Sequence, residues 1–86
     1  MIYKMSKIGA GARKSLGQHF LRCRWVANTL IRAAELTKKD TVLEIGPGTG
    51  VLTQPLAQHV REVIAVEKDE LLAEALRKKA PPNVTV

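Results

Sequence analysis

"VLEIGPGTGVLT", residues Val42 to Thr53, sets an apolar run against a glycine-rich turn, and the turn against what reads as a helix start. With Thr41 added, "TVLEI" is β-branched and mostly apolar, the pattern of a strand buried in a parallel sheet. Leu52, Leu56 and Val60 then recur every four residues, so a helix follows. Pro55 fits only in the first turn of that helix, where its missing N–H has no intrahelical partner anyway. The helix is therefore expected to begin near Gly50 or Val51. A turn between the strand and helix of a βαβ unit lies at the carboxyl edge of the sheet, where such folds bind ligands.

Working outward, Val26, Leu30, Ala33 and Ala34 fall on one face of a helix expected over residues 25–36, and "TKKD" (Thr37–Asp40) breaks it. Downstream, "VIAVE" (Val63–Glu67) is a second apolar strand, and Asp69 is placed to cap a further helix with Leu72, Ala75 and Leu76 on its inner face. "APPN" (Ala80–Asn83) ends that helix, and "VTV" (Val84–Val86) opens a third strand. Strands alternating with helices predict an α/β fold, a parallel sheet with right-handed crossovers and flanking helices. Residues 1–14 show no sustained period and are expected to form a flexible basic arm. Residues 15–86 then read as the N-terminal part of a larger domain whose C-terminal half is absent.

The spacing of the turn discriminates among ligands. Gly46, Gly48 and Gly50 give G-x-G-x-G, whereas a dinucleotide fingerprint needs G-x-G-x-x-G and would require glycine at Val51. No Lys followed by Ser or Thr accompanies the turn, which excludes a P-loop. Glu67 ends the second strand, 17 residues after Gly50, where a carboxylate can accept hydrogen bonds from both hydroxyls of a ribose. Together these read as a site for a nucleoside cofactor without a pyrophosphate, and S-adenosyl-L-methionine fits. Glu44, near the end of the first strand, can orient that cofactor or the turn.

Charge separates the chain into halves. Residues 1–40 hold nine Lys or Arg against Glu35 and Asp40, while residues 41–86 hold five against six acids. The whole excess of +6 thus lies before the glycine turn, and such a segment attracts polyanions, nucleic acid first. Cys23 stands alone, so neither an internal disulfide nor a cysteine-rich metal site is expected. No apolar run approaches the ~20 residues needed to span a bilayer, and a cytoplasmic setting without membrane contact is expected.

"EIGPGTGVLT", with "KSLGQHFL" (Lys14 to Leu21) upstream and "VIAVEKD" downstream, resembles the ribosomal RNA adenine dimethyltransferase family. That family includes the small-subunit dimethyladenosine transferases and the erythromycin-resistance methylases. The resemblance implies the N-terminal portion of a Rossmann-like class I S-adenosylmethionine-dependent methyltransferase fold. It implies that His19 and Leu21 contact the methionine end of the cofactor, that Gly46, with Gly48 and Gly50, forms its backbone-binding turn, and that Glu67 holds its ribose. The implied reaction transfers methyl groups to the exocyclic amine of adenines in ribosomal RNA, the small subunit favoured. Where the family often has an acid just after the Phe-Leu pair, this chain has Arg22 and Cys23. The family's adenine-contacting acid and its Asn-Leu-Pro-Tyr-like segment do not occur here, so no catalytic residue is expected in this chain. The 86 residues alone are then expected to be inactive and to self-associate. The alternative reading is a non-catalytic RNA-binding or ribosome-assembly module that keeps the fold.

Overall fold

In the computed structural model, which describes residues 2–5, 12–16 and 24–86, the chain runs β1 (Ile2–Met5), β2 (Ala12–Leu16), α1 (Arg24–Ala33), β3 (Thr41–Ile45), α2 (Thr53–His59), β4 (Glu62–Val66), α3 (Glu70–Lys79) and β5 (Val84–Thr85). The described strands form one sheet in the order β2-β1-β3-β4-β5. β3, β4 and β5 are parallel, with Thr41 opposite Glu62, Ile45 opposite Val66 and Val63 opposite Val84. The expected α/β order from α1 to β5 is therefore present. Its apolar strands form because period-2 alternation gives each a buried face, Val42 and Glu44 on β3 and Val63 and Ala65 on β4.

The sheet is wider than the sequence predicts. β1 pairs antiparallel with β3, Ile2 opposite Glu44 and Lys4 opposite Val42, and β2 pairs antiparallel with β1. Within the segment 1–14, read from sequence as a flexible basic arm, Ile2–Met5 thus form a strand whose Ile2 is buried in the core. Four residues are too few to show a period, and what selects this strand is a partner 40 positions away.

Ile2, Ile31, Val42, Leu56, Ala57, Val60 and Val63 make one core cluster, with Leu30, Leu36, Leu52 and Val84 packed against it. Crossovers from β3 to β4 to β5 in a single direction put α2 and α3 on the same face of the sheet. The opposite strand positions, Leu43, Ile45, Ile64 and Val66, are half-buried to exposed. Two helical faces differ from expectation. α1 buries Ala27 and Ile31, with Ala34 buried just after it, while Ala33 is exposed; α3 buries Ala73 and Leu76, while Leu72 and Ala75 are exposed. In each case the buried stripe lies one residue away from part of the expected one, because neighbouring apolar residues left the helix phase open to packing.

Candidate functional site

The carboxyl ends of β3 and β4 carry the glycine turn and Glu67 side by side. Gly46 N–H donates to Val66 O at 2.8 Å, continuing the parallel ladder by one rung into the turn. Gly50 N–H then donates to Pro47 O at 2.9 Å, closing a tight turn over residues 47–50. α2 starts at Thr53, two to three residues after the expected point, because the turn continues through Val51 and Leu52. Pro55 still falls within the first helical turn, as the sequence requires.

All three glycines have positive φ: 73° at Gly46, 59° at Gly48 and 88° at Gly50. Their surroundings separate them. A Cβ on Gly46 or Gly48 would meet nothing within 4 Å, whereas one on Gly50 would lie 2.8 Å from Leu76 Cδ1. Gly46 and Gly48 thus present bare backbone to open space, while Gly50, buried, is there so that α3 can pack against the turn.

Glu67 is half-buried and spans the site. Its Oε1 accepts from Gly48 N–H at 3.0 Å and its Oε2 from Asp69 N–H at 3.0 Å. Asp69 Oδ1 in turn accepts from Leu71 N–H at 2.9 Å and Leu72 N–H at 3.1 Å, capping α3 as its position in the sequence predicts. One carboxylate therefore ties the glycine turn to the start of the following helix. Beneath the turn, Glu44 is buried and accepts from Thr53 Oγ1 at 2.5 Å, joining the end of β3 to the first residue of α2. Burial pushes the Glu44 carboxyl above its ordinary range, and the Thr53 hydrogen bond opposes this only in part. Thr53 was not singled out from sequence; its signal is a hydroxyl at a helix start nine residues after a buried strand acid.

Ile45, Val51 and Val66 are exposed around the turn, at 44%, 47% and 50%. Exposed apolar side chains thus flank the polar groups of the turn. His19 and Leu21, expected to complete it, lie outside the described residues. Among the described residues no group of His, Cys, Asp or Glu could hold a metal ion, and no helix is long and apolar enough to cross a membrane.

Parallel strands with a glycine turn after one and an acid at the end of the next mark the Rossmann-like class of α/β folds. Residues 9–86 match the family described as Ribosomal RNA adenine dimethylase, and the chain belongs to that family. It is 53% identical over 68 residues to a Ribosomal RNA small subunit methyltransferase A of Dehalococcoides mccartyi, covering 79% of this chain and 23% of the relative. A Probable ribosomal RNA small subunit methyltransferase A of Methanopyrus kandleri is 40% identical over 88 residues, covering 100% of this chain and 32% of the relative. The crystal structure of a dimethyladenosine transferase from Plasmodium falciparum superposes with a TM-score of 0.70 at 32% identity, over 79% of this chain and 27% of that one. The chain thus spans about a quarter to a third of the length of these relatives.

Proposed function

We propose that the chain is the cofactor-holding part of an S-adenosyl-L-methionine-dependent ribosomal RNA adenine dimethyltransferase, with small-subunit RNA as its substrate. The observation that carries this reading is the meeting, on adjacent strand ends, of Glu67, bonded to Gly48 N–H, with backbone at Gly46 and Gly48 that has open space where a Cβ would be. Each Glu67 oxygen accepts one N–H and keeps lone-pair capacity for a ribose hydroxyl. Gly46 and Gly48 leave room for a ligand to reach the main chain without meeting a Cβ. The residues present therefore fit a nucleoside. Bound there, S-adenosylmethionine would supply an electrophilic methyl group on its sulfonium.

The chain's own part is to bind and orient. Glu67 fixes the ribose, Gly46, Gly48 and Gly50 shape the turn beneath the cofactor, and His19 and Leu21 take its methionine end. Transfer to an adenine amine needs the lone pair in line with the methyl group, so positioning dominates over acid–base chemistry. The base must leave its stack to reach the site. No described residue is assigned a catalytic role, and turnover by the 86 residues alone with labelled cofactor and unmethylated small-subunit particles would overturn that part of the reading. The exposed Ile45 and Val66 support self-association, read by sedimentation, and the setting is the cytoplasm.

The deciding test is Glu67→Gln, titrated calorimetrically with S-adenosylmethionine. Replacing a charge-assisted acceptor should weaken binding by roughly 1.5–3 kcal/mol while circular dichroism shows the fold retained. Unchanged affinity removes Glu67 from the site.

A further inference from the structure

The other end of the strands is also built. β1 brings Lys4 to Asp40, Nζ to Oδ1 3.9 Å, and the 37–40 turn and the residue before β4 add Lys38, Lys39 and Arg61 beside it. Lys38 Nζ donates to Gln58 O at 2.6 Å, and Arg61 Nη2 donates to Thr41 Oγ1 at 2.9 Å. Both acceptors are neutral, so these two cations are oriented without losing their charge. Lys38, Lys39 and Arg61 are exposed, and among the described residues none forms an ion pair with a carboxylate.

The nearby acids face inward or are engaged. Asp40 accepts from Thr37 N–H at 2.7 Å and its side chain is only 16% exposed; Glu62 is half-buried and accepts from Thr41 Oγ1. Glu35, exposed in the turn after α1, counts against the basic surplus but does not cancel it. At the glycine end acids are more numerous, with Glu67, Asp69 and Glu70 against Lys68 and, beside Gly50, Lys79. Strands of five residues separate the two ends by about 16 Å.

We propose that this amino-terminal edge, formed by Lys38, Lys39 and Arg61 beside the Lys4–Asp40 pair, is an RNA-docking surface that grips the phosphate backbone away from the cofactor end. The inference rests on the ribosomal RNA reading for the identity of the polyanion, and adds where on this chain it is held. Guanidinium and ammonium groups oriented by neutral acceptors retain free donors for phosphate oxygens, which position a nucleic acid without reading its sequence. Such contacts leave the target adenine free to be presented at the opposite end of the molecule.

The test compares two double variants of equal charge loss. Lys39→Gln/Arg61→Gln removes the edge, and Lys78→Gln/Lys79→Gln removes the same charge from α3, where Lys79 lies beside Gly50. Binding of each to a fluorescent 20-base-pair RNA hairpin is followed by anisotropy between 50 and 200 mM salt. With two phosphate contacts gone, the edge variant should show a log K against log salt slope shallower by about 1.8, and the α3 variant a smaller change. Equal changes in both overturn the proposal, since net charge and not this surface would then set affinity. Lys39→Gln alone, whose side chain is exposed, guards against misfolding: it should lower the slope by about 0.9, and no change overturns the proposal. S-adenosylmethionine affinity measured on the same proteins separates the two readings, because equal RNA losses with cofactor binding intact count against the surface alone.

Discussion

A methyl group added at Gly46 would enter open space, but one added at Gly50 would strike Leu76 Cδ1 at 2.8 Å. Both backbones have positive φ, so Gly46→Ala should cost about 1–2 kcal/mol through strain alone. Gly50→Ala should cost more, because a buried leucine must also move; urea titration of the two variants gives the difference. Glu35 presents the reverse case. It ends α1 with φ 53°, its N–H on Arg32 O and the Leu36 N–H on Ile31 O, a Schellman closure that favours glycine. Glu35→Gly should raise stability by roughly 0.5–1 kcal/mol, the strain removed less the added freedom of the unfolded chain. Glu44 links stability to pH. Burial raises its pKa on folding, so this group's contribution is fullest below the unfolded value near 4.5 and is lost as pH rises through the folded one. Relative to Glu44→Gln, the unaltered protein should therefore gain stability as pH falls from neutrality; a difference independent of pH would contradict the assignment. That Gly46, Gly48 and Gly50 form a turn after one strand and that Glu67 follows the next was legible in the sequence. The division of labour between Gly46 and Gly50 was not, because it depends on where α3 packs.

Elements were legible where the local signal and the tertiary demand agree. β3 occupies the span the sequence predicts, since its apolar run has punctuation at both ends. α3 starts where Asp69 caps it, and Asp69→Ala should lower stability by about 1 kcal/mol, measured by thermal or urea unfolding. α2 is shorter than its periodicity suggests, because the turn retains Val51 and Leu52 before helical geometry begins. Its far end is held by a residue read only as a helix stop. Asn83 Nδ2 donates to Ala57 O at 2.8 Å and also approaches Val60 O and Arg61 O, satisfying carbonyls that a short helix leaves free. The antiparallel pair of β1 and β2 was not legible, since the pairing of β1 with β3 joins segments far apart in sequence.

At the scale of the molecule, β1 closes one side of the parallel strands and places Ile2 in the same cluster as Val42 and Leu56. Ile2→Ala should therefore cost about 2–5 kcal/mol, as for a fully buried aliphatic side chain. That is a large share of the roughly 5–15 kcal/mol that stabilises an ordinary domain. Near-complete retention of the urea midpoint would show that β1 contributes little to the fold. Along its strands the molecule carries Lys38, Lys39 and Arg61 at one end, and Glu67, Asp69 and Glu70 with Lys68 and Lys79 at the other.

The extra rung from Gly46 N–H to Val66 O has a thermodynamic consequence for whatever meets the turn. With Gly46 fixed by the ladder, Gly48 held by Glu67 and Gly50 closed onto Pro47, few backbone torsions remain free between the strand and α2. A ligand arriving there does not have to freeze a floppy segment, so little conformational entropy is subtracted from its contacts. Its association should accordingly show a modest entropic penalty, and a rate set by encounter more than by loop rearrangement.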